Sequence, residues 1–165
     1  MRRARRIRLG VATALGCGLV VQAAVAQPAA APDYRSMFVK AGKQSVQATL
    51  GAYCHPADGS AGNCSKGPSY PLKTTGKVTL KRGAGVTLLF RANAGNVTWR
   101  AARIDGRGQE KITASGVAEL VTRKSKRRWK ITLPKNVSVS SALLGFDVQY
   151  PNAYSSFEVG LKVRR

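Results

Sequence analysis

Catalysis and ligation need groups that titrate, coordinate or attack, and this 165-residue chain has few: seven Asp and Glu, one His and three Cys, against 28 Lys and Arg. A hydrolase triad takes its base from histidine. His55 is the single candidate, it adjoins Cys54, and no Gly-x-Ser-x-Gly turn accompanies it. Paired-carboxylate chemistry would draw on Asp105, Glu110, Glu119, Asp147 or Glu158. Asp105 falls in a turn and Glu158 on the polar side of an alternating segment, where solvation is the default for a charged side chain. No catalytic residue is assigned, and a protein that is not an enzyme is expected.

Cys54, His55, Asp58 and Cys64 include the donor types of a zinc site. Neither cysteine belongs to a Cys-x-x-Cys pair, however, and neighbours on an extended strand point to opposite faces. The competing reading is a disulfide between Cys54 and Cys64, ten residues apart around a turn-rich stretch. Closing such a loop contributes about 2.5–3 kcal/mol in the chain-entropy account. The disulfide is preferred, because the chain reads as exported to an oxidising compartment. No metal and no cofactor is expected.

That reading rests on Met1–Ala26. Five arginines (Arg2, Arg3, Arg5, Arg6 and Arg8) precede an uncharged run from Leu9 to Val25, and Ala24-Val25-Ala26 supplies the small residues a signal peptidase accepts. A membrane-spanning anchor is the alternative, but the run falls short of the roughly 20 predominantly apolar residues needed to span. Cys17 lacks a full lipobox, and Arg8 spoils Arg5-Arg6 as a twin-arginine pair. Cleavage before Gln27 leaves 23 basic against 7 acidic groups, a net charge of +16. The expected product is soluble, secreted or periplasmic, without a transmembrane anchor.

The charge is also concentrated. Arg123, Lys124, Lys126, Arg127, Arg128 and Lys130 put six cations into eight residues. Between two strand-like segments this run reads as a hairpin tip and as a polyanion-binding site. Each cation near an acidic surface adds about 1 kcal/mol of salt-sensitive attraction. The bland alternative is a solvated loop that serves solubility. Trp129 starts the Trp129-Ile131-Leu133 alternation and reads as core rather than as a stacking platform.

These residues must be held by strands, because the dominant period in the mature chain is two. Val46–Ala52, Val78–Leu80, Val86–Ala92, Val97–Ile104, Lys111–Thr122 with a break or bulge at Gly116, Trp129–Leu133, Ala142–Tyr150 and Ser156–Val163 read as eight strands. Asp105-Gly106 and Pro151-Asn152-Ala153 mark turns, the second closing a hairpin. No segment carries a helical apolar stripe, so the fold class is all-β. An antiparallel, immunoglobulin-like β-sandwich of about 7–8 strands is expected, with a small barrel as the second choice. Residues 27–43 read as a flexible leader, partly ordered near Tyr34, Met37 and Phe38, and residues 44–165 as the sandwich domain.

Gly51-Ala52-Tyr53-Cys54, Cys64, Tyr70-Pro71-Leu72 and the final hairpin together resemble a class of secreted actinobacterial β-sandwich proteins with a Gly-x-Tyr-Cys strand end and a short cysteine loop. The likeness covers strand ends over about half of the mature chain. It implies the fold and carries no activity. His55 stands where an aromatic is common there, and no acid follows Cys64 directly.

Two functions follow from these residues. The first is a non-catalytic module whose basic surface associates with anionic cell-envelope polymers or lipids, with no specific nucleic acid. The second is a protein-binding subunit or an inhibitor of a secreted enzyme. It would use the loops Cys54–Cys64, Asn93–Asn96 and Pro151–Ser155 at one end of the sandwich. Tyr150 and Tyr154 beside the last loop read as hydrophobic cover.

Overall fold

A computed structural model describes residues 33–57, 60–123 and 126–164. The export signal read over Met1–Ala26, and Lys124 in the basic run, lie outside the described residues. Twelve strands are arranged in two sheets, and no helix occurs among the described residues. The five-stranded sheet contains β1 (Met37–Ala41), β2 (Gln44–Gln47), β6 (Gly85–Phe90), β9 (Glu119–Arg123) and β10 (Lys126–Thr132), in the order β2-β1-β6-β10-β9. The seven-stranded sheet contains β3 (Thr49–Ala57), β4 (Ser60–Ser65), β5 (Lys77–Lys81), β7 (Asn96–Ile104), β8 (Glu110–Val117), β11 (Leu143–Tyr150) and β12 (Ala153–Arg164). Its order is β4-β3-β12-β11-β7-β8, with β5 alongside the second half of β12.

Alternation generates the core. Met37 and Val39 from β1, Val86 and Leu88 from β6, and Trp129 and Ile131 from β10 turn inward from one sheet. They meet Val97 and Trp99 from β7, Leu144, Phe146 and Val148 from β11, and Phe157, Val159 and Leu161 from β12. Each large apolar side chain fully removed from water contributes about 1.5–3 kcal/mol. The all-β sandwich expected from the period-two pattern is therefore the observed fold. The expected closing hairpin is present, with Phe146 opposite Phe157 and Tyr150 opposite Ala153.

Four details differ from expectation. The strand count is twelve rather than seven or eight, partly because two segments that read as single strands each switch sheets. Val46–Ala52 divides at Ala48 into β2 and β3, and Lys111–Thr122 divides at Ala118 into β8 and β9. Both alanines are buried, and their amides bond to Met37 and Val97 carbonyls at 2.9 and 2.8 Å. A chain that bends at a corner keeps the same residues facing the core, so its alternation runs on unbroken while its pairing partners change.

The second difference is β1, which lies inside residues 27–43, the stretch read as a flexible leader. Met37 and Val39 are fully buried, so the sandwich begins well before residue 44. Third, Gly116 is not the bulge. The register slips where Ala101 and Ala102 face Ala114 and Ile112, and Gly116 instead faces Trp99. Fourth, β5 pairs with β12 in parallel, an exception in otherwise antiparallel sheets.

Candidate functional site

The outer face of the five-stranded sheet carries Arg128 and Lys130 of the basic run. Strands β9 and β10 form a hairpin with Arg123 opposite Lys126 and Arg127 opposite Thr122, so the cations do flank a tip. Period two on β10 then turns Trp129 inward, where it is buried, and leaves Arg128 and Lys130 exposed. Lys130 is in register with Thr87 on β6, and Thr87 with Lys40 on β1. A row of one hydroxyl between two ammonium groups thus crosses three strands. Beside it lies a depression of about 300 Å³ lined by Lys40, Gly42, Gly85, Thr87, Leu89 and Arg128. Glu119 stands across from Lys130 at the sheet edge.

Most of the described carboxylates are engaged elsewhere. On the outer face of the seven-stranded sheet, Arg100 meets three of them. Its Nε is 3.1 Å from Glu110 Oε2, its Nη1 3.5 Å from Asp147 Oδ2 and its Nη2 2.6 Å from Glu158 Oε1. The Leu72 amide donates to Glu158 Oε2 at 2.7 Å, and Tyr154 donates its hydroxyl to Asp147 at 2.8 Å. Tyr70 packs its ring 5.6 Å from the guanidinium and bonds through its hydroxyl to Ser156. Among the described residues the other ion pair joins Arg91 to Asp33, at 3.7 Å. None of these pairs involves Lys40, Arg128 or Lys130.

Glu158 was read as solvated and is instead completely buried, because residues 70–76 cross over β12 and cover its outward side. Burial pushes its carboxyl up to about 7; the Leu72 amide pulls against this, neighbouring Glu110 adds to the rise, and Arg100 opposes it. Burial also works to lower Arg100, but bonding and charge from Glu110, with Asp147 and Glu158, hold its pKa above the ordinary value. Reasoning from sequence did not single out Arg100, and it named Tyr70-Pro71-Leu72 only within the resemblance, not as a cover over β12. The available signal was Gly145, an unexplained glycine within an apolar strand. A Cβ there would fall 2.6 Å from Arg100 Cζ, so the guanidinium reaches Glu158 by lying across bare backbone.

At the end of the sandwich where the Cys54–Cys64, Asn93–Asn96 and Pro151–Ser155 loops were expected, the register does align Asn96 with Gln149 and Cys54 with Tyr154. Cys54 and Cys64 are directly opposite on β3 and β4 and form the disulfide. His55 Nε2 lies 3.0 Å from Ser155 Oγ, and that hydroxyl donates to the Tyr34 carbonyl at 2.8 Å. The serine proton is thereby committed, so the ring donates Nε2–H to Oγ. Desolvation lowers the His55 pKa, Arg35 lowers it further, and Asp33 pulls the other way. With Ser155 fully buried, this pair braces the Tyr34 segment. Among the described residues no cluster of three or more His, Cys, Asp or Glu is arranged to hold a metal ion. Tyr150 lies in the core and Tyr154 is half-buried, matching their reading as cover.

No family model, no curated protein and no solved structure matches this chain. No helix among the described residues is long and apolar enough to cross a membrane.

Proposed function

We infer that the protein is an exported, non-catalytic module that associates through the outer face of its five-stranded sheet with anionic envelope material, polymer or lipid. The observation that carries this reading is a group of neighbouring cations that enters none of the described ion pairs. Lys40, Arg128 and Lys130 share the outer face of the five-stranded sheet, while Glu110, Asp147 and Glu158 converge on Arg100 on the opposite sheet. Glu119 is the one carboxylate in register with these cations, opposite Lys130, and none of the described ion pairs engages Lys40, Arg128 or Lys130, so their attraction for an external polyanion is largely retained. The arginine-rich start of the chain supports export. The alternative of a protein-binding subunit or inhibitor loses its tyrosine anchors, since Tyr150 is spent on the core and Tyr154 on Asp147.

Replacing Lys124, Lys126, Arg127 and Arg128 with Gln tests the reading. The wild-type protein should sediment with isolated envelopes at low salt and release steeply toward physiological ionic strength. At about 1 kcal/mol per cation, removing four should weaken retention by roughly two orders of magnitude or more at low salt. Folding, followed by circular dichroism, should be unchanged. Equal retention of variant and wild type would reject the hairpin as the adhesive element, and retention indifferent to salt would favour recognition through the loops.

A further inference from the structure

We propose that the depression between Lys40 and Arg128 is a binding site for a phosphate monoester. The inference rests on the proposed role of this sheet face and gives it a ligand chemistry. Three adjacent strands contribute: Lys40 from β1, Thr87 from β6 and Arg128 from β10 all line the same hollow. Neighbouring strands run about 4.8 Å apart, so the outer two backbones stand roughly 10 Å from each other, a span that two long cationic side chains can close over a small anion. Thr87 places its hydroxyl at the middle strand, in register with Lys40.

The donor set distinguishes between anions. A guanidinium presents a planar fork, an ammonium a point charge and a hydroxyl a single directed donor. Together they match the three terminal oxygens and nearly double charge of a phosphate monoester better than the two oxygens and single charge of a carboxylate. Gly42 and Gly85 leave the rim without side chains: a Cβ at Gly42 would meet nothing within 4 Å, and one at Gly85 would come no closer than 3.4 Å to the Ile131 carbonyl. Leu89 adds an apolar patch against which the ester carbon can rest. A volume of about 300 Å³ stands at the small end of ligand pockets, the scale of a headgroup.

The full chain is titrated with glycerol 3-phosphate and, separately, with acetate at about 0.15 M salt, where loose surface attraction is screened, and amide shifts are followed by NMR. Saturating shifts at Thr87 and Gly85 with the phosphate ester, and none with acetate, are expected. Thr87→Val, nearly isosteric and at home in a strand, should weaken binding about tenfold, the usual cost of a hydrogen bond to a charged group. Arg128→Gln should abolish saturation. The same Thr87→Val comparison on vesicles containing phosphatidic acid separates the sources. Weakening for both ligands means the monoester is read wherever it occurs; weakening on vesicles alone assigns the site to the lipid headgroup. Equal affinity of wild type and Thr87→Val for both ligands, or equal response to acetate, overturns the site. Glutamine at Lys124, Lys126 and Arg127 alone should spare glycerol phosphate binding while reducing envelope retention, so the two proposals can fail separately.

Discussion

Gly145 and Arg100 show how one absent side chain sets the chemistry of a sheet face. Arg100 reaches across Gly145 to Glu158, and a Cβ would stand 2.6 Å from its Cζ and 2.7 Å from its Nη1. Gly145→Ala should therefore displace the guanidinium and leave Glu158 buried without its cation, at a cost of about 3 kcal/mol in urea denaturation. Arg100→Met should cost a similar amount, and the double variant little more than either alone, because both break one interaction. The carboxyl of Glu158 brings a pH dependence with a definite sign. Its pKa in the fold, about 7, exceeds its ordinary 4.5, so through that window the native state keeps a proton that the unfolded chain has released. Its contribution to stability is full below the window and is lost as pH rises through it. His55 acts in the opposite sense, since its lowered pKa costs stability as pH falls below 6.5. The informative quantity is thus the difference in urea midpoint between wild type and Glu158→Gln, which should shift in favour of the variant from pH 4.5 to 7.5. A constant offset would mean that Glu158 does not titrate there.

Among the elements, those with long uninterrupted alternation were legible within a residue or two. Val97–Ile104 is β7 without Asn96, and Ala142–Tyr150 is β11 with Ala142 added. Period two records only which side faces the core, so it is blind to the corners at Ala48 and Ala118, where pairing partners change and burial does not. It also missed β1, whose five residues, Met37–Ala41, are too short a run to stand out beside a Pro- and Ala-rich stretch. Met37→Ala separates a core strand from a flexible leader. Loss of this fully buried side chain should lower stability by about 2–5 kcal/mol, whereas a leader residue would change nothing measurable. The basic hairpin was legible for a simpler reason, since charge density and a local turn need no long-range partner. The Arg100 cluster needed four: β8, β11, β12 and a covering segment more than eighty residues away from Glu158 in sequence.

For the molecule as a whole, both sheets display exposed cations, Lys40, Arg128 and Lys130 on one and Lys77, Arg103, Lys111 and Lys162 among those on the other, and the second also gathers three carboxylates around Arg100. The layers that do this are not separable bodies. At Ala48 and again at Ala118 the main chain steps directly from one layer into the other, with a buried methyl at each step. Neither layer can melt while the other persists, because each step is a shared hem stitched through both. Heating should consequently take both sheets apart in a single cooperative transition, so that far-UV circular dichroism and tryptophan fluorescence give the same midpoint.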